Sequence, residues 1–283
     1  MERAGLSTGR EGQMRDIAAV VVAALLALAL TSAAQCAGPT LRGKVRDMIE
    51  HEVLQEKIAA WESMGLSGGG AMYTPVISPH DPNLMLVNCD MSCAFRSTDG
   101  GQSWEMIHHQ YLLASTRCRP VFHPSDPDVV YGASGHRGQL KVSRDRGVTW
   151  EPVSEDLARG VRAVAIDPGN AELMLVGHFE GERSAVSPDG GSNWGRCEGL
   201  RGEVVGFHID QTSPVARRVC FAGTSEGVFR SQDAGLTWEQ FGTGLPEHRL
   251  VEFAGGSDSE RNECVLYCVV EGEVVDGKYV GGV

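Results

Sequence analysis

One carboxylate recurs in this chain at a fixed place. Asp99, Asp145, Asp189 and Asp233 each stand third in an eight-residue box, Ser-x-Asp-x-Gly-x-(Ser/Thr/Asn)-Trp, written STDGGQSW, SRDRGVTW, SPDGGSNW and SQDAGLTW. A repeated Asp suits two kinds of chemistry: proton transfer in a cleft, or capping of backbone N–H groups in a turn. Spacing decides between them. The boxes start at 97, 143, 187 and 231, so they recur every 44 to 46 residues. Copies carried on successive structural units stand too far apart to serve one active site. The turn is the better account. Gly101, Gly147, Gly191 and Gly235 sit where a hairpin needs positive φ. The Asp two residues earlier can accept from the turn's own N–H groups, and the Ser, Thr or Asn can add a further hydrogen bond. Trp104, Trp150, Trp194 and Trp238 then open the next strand with a large ring to bury.

A second set of side chains could recognise a ligand. Arg117 and Arg119 lie in STRCRPVFHP, His136 and Arg137 in SGHRGQ, and His178 with Glu180 in GHFEGE; His108 and His109 follow the first box. These connections hold comparable places in successive repeats, so they could line one rim of a shared channel. Their donors and acceptors suit a polyhydroxylated ligand. Taken singly, each also fits ordinary loop polarity. The eight cysteines form no C-x-x-C pair, and the histidine spacings bring no ligand set together, so neither a metal nor a cofactor is predicted.

The elements that must position these residues repeat as well. About twenty residues before each box stands VISPHDPNLMLVNC, VFHPSDPDVVYGAS, VAIDPGNAELMLVG or FHIDQTSPVARRVCFAG. Each is a short apolar strand, a polar turn and a second strand. A third strand, the box and a short strand after its Trp complete the unit. Four strands in such a period make one blade of a β-propeller. The expected fold is all-β, with about five blades' worth of repeats over 66–283. The last begins at VEFAGG and ends within its third strand. This predicts a piece of a larger propeller, closed by further C-terminal blades or by a partner chain. Ahead of it, Arg3, Arg10 and Arg15, the apolar run Ile17–Leu30 and Ser32-Ala33-Ala34 read as a signal peptide over 1–34. The chain is then secreted or periplasmic and free of the membrane after cleavage. The alternative is an anchor formed by the same apolar segment. Residues 35–65 read as a linker and a helix with apolar positions at helical spacing. A net charge of −12 argues against nucleic acid as a partner.

The boxes resemble the Asp-box (BNR) repeat found in sialidases, xyloglucanase-type glycoside hydrolases, sortilin-type receptor domains and photosystem assembly factors. The first unit, GLSGGGAMYTPVISPHDPNLMLVNCDMSCAFRSTDGGQSW, is similar to the opening blade of the xyloglucanase type (glycoside hydrolase family 74-like). That resemblance implies that Asp90 is the general base of an inverting mechanism. Met91-Ser92-Cys93 replaces the family's Val-Gly-Gly. The family's second carboxylate lies in another propeller, and hydrolysis needs both. Asp90 alternatively caps backbone N–H groups in a turn. Two functions follow: a secreted carbohydrate-active, glycoside hydrolase-like propeller that takes a polysaccharide or oligosaccharide, or a non-catalytic binding or scaffold propeller of the sortilin or assembly-factor kind. The Arg-Ile-Pro phrase of sialidases is absent before the first box, which sets that activity lower.

Overall fold

Short apolar stretches separated by Pro-, Asp- and Gly-rich turns fold as antiparallel strands, because each buries alternate side chains and leaves no room for a helical period. The computed structural model describes residues 66–282 apart from 67–69, 92, 114–117, 136, 137, 158, 243–248, 276 and 277. The expected signal peptide (1–34) and the expected linker and helix (35–65) lie outside the described residues, as do Arg117, His136 and Arg137.

The described residues form successive antiparallel meanders. The first sheet is β1 (Met72–Ile77), β2 (Met85–Cys89), β3 (Phe95–Ser97) and β4 (Glu105–Met106). The second is β5 (Val121–Phe122), β6 (Val130–Ser134), β7 (Gln139–Ser143) and β8 (Glu151–Pro152). The third is β9 (Val161–Asp167), β10 (Asn170–His178), β11 (Ala185–Ser187) and β12 (Gly195–Arg196). The fourth is β13 (Val204–Ile209), β14 (Cys220–Thr224), β15 (Gly227–Ser231) and β16 (Glu239–Phe241). The fifth has three strands, β17 (Leu250–Asp258), β18 (Glu263–Val275) and β19 (Lys278–Gly282). The expected all-β blades are what the chain forms. Three single 3-10 turns interrupt the loops, and no α-helix occurs among the described residues.

The first strand of one sheet lies beside the first strand of the next: β5 by β9, β9 by β13, β13 by β17. These strands therefore face the common axis, and later strands step outward. The core is divided among the seams between sheets. Leu86, Ala94 and Ile107 of the first unit pack with Val130 and Trp150 of the second. Tyr131, Leu140 and Val142 meet Val161, Met174 and Val176 at the next seam. Leu175, Val186 and Leu200 meet Ile209, Phe229 and Trp238 at the third. Phe221 and Val228 meet Leu250 and Phe253 at the fourth.

One charged pair is buried in a seam. Arg218 Nε lies 2.6 Å from Asp167 Oδ2, with side-chain exposures of 3% and 0%. Gln211 Nε2 and the Gly169 N–H donate to Asp167 Oδ1 at 3.0 and 2.8 Å. Burial pushes the Asp167 carboxyl up, and these hydrogen bonds outweigh it and hold the group ionised below its usual range.

Candidate functional site

The four boxes have one geometry. The opening Ser hydroxyl donates to the Asp Oδ1 at 2.7–2.8 Å and accepts the N–H of the box Gly at 2.8–2.9 Å. Asp Oδ1 accepts the N–H of the seventh residue at 2.8–2.9 Å, and Oδ2 accepts that residue's side chain at 2.5–2.7 Å. The Trp Nε1 donates to the Gly carbonyl at 2.8–3.1 Å. Hydrogen bonds from Ser103 hold Asp99 down to about 2, and those from Asn193 lower Asp189. At Asp145 and Asp233 burial raises the carboxyl, but the hydrogen bonds prevail. Carboxylates held ionised in this way have no proton to give near neutral pH, which leaves them as acceptors within the turn. Two consecutive residues have positive φ in each box, as a type I′ turn requires. The first of the pair is Gly100, Arg146, Gly190 or Ala234. Arg146 and Ala234 adopt this conformation without being glycine, which the box pattern alone did not reveal.

Asp90 follows β2 and is exposed. Its N–H donates to the Ala71 carbonyl at 3.1 Å, and its Oδ1 accepts the Ala71 N–H at 2.8 Å. The carboxylate thus clasps the segment leading into β1. Glycine suits the place beside it, since a Cβ at Gly70 would displace the Asp90 carboxylate from this position. No described residue donates to Oδ2, and Met91 next to it is 74% exposed.

Cys89 pairs with Met72, His178 with Val161, and Thr224 with Val204. Asp90, His178 and the start of each axial strand therefore share one end of the blades. Arg119, two residues before β5, is exposed at that end. His178 is buried there, and both its ring nitrogens are engaged. Nδ1 accepts the Glu180 N–H at 2.8 Å, which leaves Nε2–H to donate to the Arg159 carbonyl at 2.8 Å. Burial holds its pKa below the usual 6.5, so the ring is neutral.

The same end carries charged residues that no motif announced. Arg162 Nε lies 3.3 Å from Glu203 Oε1, and Arg249 donates to Glu203 Oε2 at 2.6 Å. Arg162 also stands over the half-exposed Phe179 ring, 6.0 Å from its centre. The register explains the aim of Arg162. Gly177 faces Ala163 and His178 faces Val161, so Arg162 is the additional residue of a β-bulge. Register shifts recur at this end of β1, β13 and β17. Bulges re-aim side chains at sheet rims, and they do so here around the axis. Arg119, Arg162, Glu203 and Arg249 together with Asp90 place charged groups at this end of the blades.

Comparison with known proteins agrees with the blade architecture. The BNR/Asp-box repeat pattern matches residues 95–106. The photosystem II assembly protein Ycf48 of Thermosynechococcus vestitus is 27% identical over 53% of this chain and 42% of its own length. Xyloglucanase Xgh74A of Acetivibrio thermocellus is 23% identical over 63% of this chain and 26% of its own. The chain thus spans less than half the length of Ycf48 and about a quarter of Xgh74A. Among solved structures, an ancestral GH74 enzyme aligns over 75% of this chain and 29% of its own, with 19% identity and a TM-score of 0.57. The GH74 xyloglucanase of Xanthomonas campestris aligns over 74% of this chain and 35% of its own, with 20% identity and a TM-score of 0.55. The chain carries Asp-box repeats on sheets folded as propeller blades, and it is similar in sequence to GH74 xyloglucanases and to Ycf48.

Proposed function

We propose that the chain is the carbohydrate-binding part of a xyloglucanase-type protein, with Asp90 supplying one carboxylate of a hydrolytic pair. The observation that carries this is the placement of Asp90: exposed, oriented through Oδ1 by Ala71, and at the bulged rim of the axial strands. Hydrolysis would need a second carboxylate across the glycan, from blades or a partner chain beyond these repeats. The N-terminal apolar run would export the chain, where a polysaccharide is accessible.

A second reading is a binding or scaffold propeller without catalysis. The arginines of the rim favour it, because Arg162 and Arg249 already bind one carboxylate, Glu203, and suit a carboxylate-bearing ligand better than a neutral sugar. Calorimetric titration of the full chain with xyloglucan oligosaccharides separates the two. The first reading expects saturable binding, weakened about tenfold or more in Asp90→Ala. Absence of binding, or binding indifferent to Asp90→Ala yet abolished by Arg162→Ala, would sink it in favour of the second.

A further inference from the structure

The opposite end of the blades holds a different cluster. His208 lies near the end of β13 and Asp210 just beyond it, two residues apart and so on one side of the extended chain. Across the fourth seam, the hairpin of β17 and β18 pairs Ser257 with Cys264. Because β13 and β17 are adjacent axial strands, the hairpin tip meets the end of β13. A ring nitrogen of His208, a carboxylate oxygen of Asp210 and the sulfur of Cys264 all lie within 4.8 Å of one another.

Ser257 Oγ sits among the three. It is 2.8 Å from His208 Nε2 and donates to Asp210 Oδ1 at 2.9 Å. The neighbours brace these groups. The Thr212 N–H and hydroxyl donate to the Asp210 carboxylate at 2.9 Å, and the Gln211 N–H donates to Ser257 Oγ at 3.1 Å. Asp210 itself is buried.

We propose that His208, Asp210 and Cys264 form a binding site for a borderline-soft divalent cation of the zinc class, with Ser257 or water in the fourth position. The donor set selects the ion. A thiolate disfavours magnesium and calcium, while one nitrogen, one sulfur and one carboxylate suit tetrahedral zinc. Tetrahedral donors stand about 3–4 Å apart, so closure needs side-chain shifts of about an ångström. The hydrogen bonds on Asp210 act as the outer shell that orients a ligating carboxylate. The ligands come from two blades, so the ion would fasten the fourth blade to the fifth, away from the Asp90 rim.

The test uses the full chain, freed of metal by a chelator and kept reduced, and titrated with Co(II) and then Zn(II). One equivalent of Co(II) is expected to produce a sulfur-to-cobalt charge-transfer band that Zn(II) abolishes. Zn(II) is also expected to raise the melting temperature. Cys264→Ser should lose the band, and His208→Gln and Asp210→Asn should each weaken Zn(II) binding about tenfold or more in competition with a chromophoric chelator. Cys268→Ser, four residues along the same strand, should keep both band and affinity. No saturable band in the wild type, or a band retained in Cys264→Ser, overturns the site. Should Cys264→Ser fail to fold, unchanged affinity in His208→Gln and Asp210→Asn overturns it equally.

Discussion

The hydroxyl that opens each box is as important as the carboxylate that names it. Ser143 is fully buried and serves the Asp145 carboxylate and the Gly147 N–H at once. Ser143→Ala leaves that N–H without an acceptor and is expected to lower unfolding free energy by about 2 kcal/mol in urea titration. Ala234 shows the converse: it holds a φ of 61° where two other boxes use glycine. Ala234→Gly relieves that strain and should stabilise the chain by about 1 kcal/mol by the same measurement. Acid acts on two residue classes. In His123 and His178, burial holds the imidazole below 6.5, and each Nδ1 accepts a backbone N–H. The unfolded chain then binds protons that the folded chain refuses, so this stability is complete above about pH 6.5 and is lost as pH falls below it. The box carboxylates are lowered from 3.8, so their stability is present above about pH 4 and is lost as pH falls below it, for Asp99 towards about 2. Denaturation midpoints followed from neutral to strongly acid pH should fall in these two stages, and His178→Gln should flatten the first. The turn was legible in the sequence because Gly, Asp and Trp recur at fixed offsets. The rim residues Arg162, Glu203 and Arg249 were not, because each is a single charged residue whose meaning comes from a bulge or from a neighbouring blade. The cation cluster was hidden for the same reason: Cys264 approaches His208 only once two blades have docked.

At the level of the element, strands and their order were readable from the 44-residue period, whereas the seams were not. Periodicity says which side of a strand is apolar and not which strand it will meet. Trp150 belongs to the second blade by sequence, yet it packs with Leu86, Ala94 and Ile107 of the first. Trp150→Ala should cost about 3–5 kcal/mol, more than removal of a contact within one sheet. Arg218 carries a different liability. Arg218→Met would strand Asp167, which is fully buried, and is expected to cost about 3–5 kcal/mol. Adding Asp167→Leu should restore most of that loss, as thermal melts of the single and double variants would reveal. The bulge at Arg162 left no compositional trace, since the inserted residue looks like any other strand residue until its partners are counted.

For the whole molecule, the core is a row of seams rather than one centre, so stability is close to a sum of neighbour interactions. Trp150→Ala at the first seam and Phe253→Ala at the fourth share no packed cluster, and their effects should add to within about 0.5 kcal/mol. The seams also have a direction. The second box reaches back to the first blade, where Arg96 Nε donates to the Arg146 carbonyl at 2.7 Å and Arg146 pairs with Asp81. The fourth box reaches back to the third, where the Glu198 N–H donates to the Leu236 carbonyl and the Trp238 N–H to the Glu198 carbonyl, each at 2.8 Å. On a ribosome this polarity becomes a timetable. A nascent blade has its four strands only when its box has left the exit tunnel, and that box then grips a neighbour made seconds earlier. At these two seams the chain is fastened in the order in which it is synthesised, the later box gripping the earlier blade, while Asp167 of the third blade waits for Arg218 of the fourth.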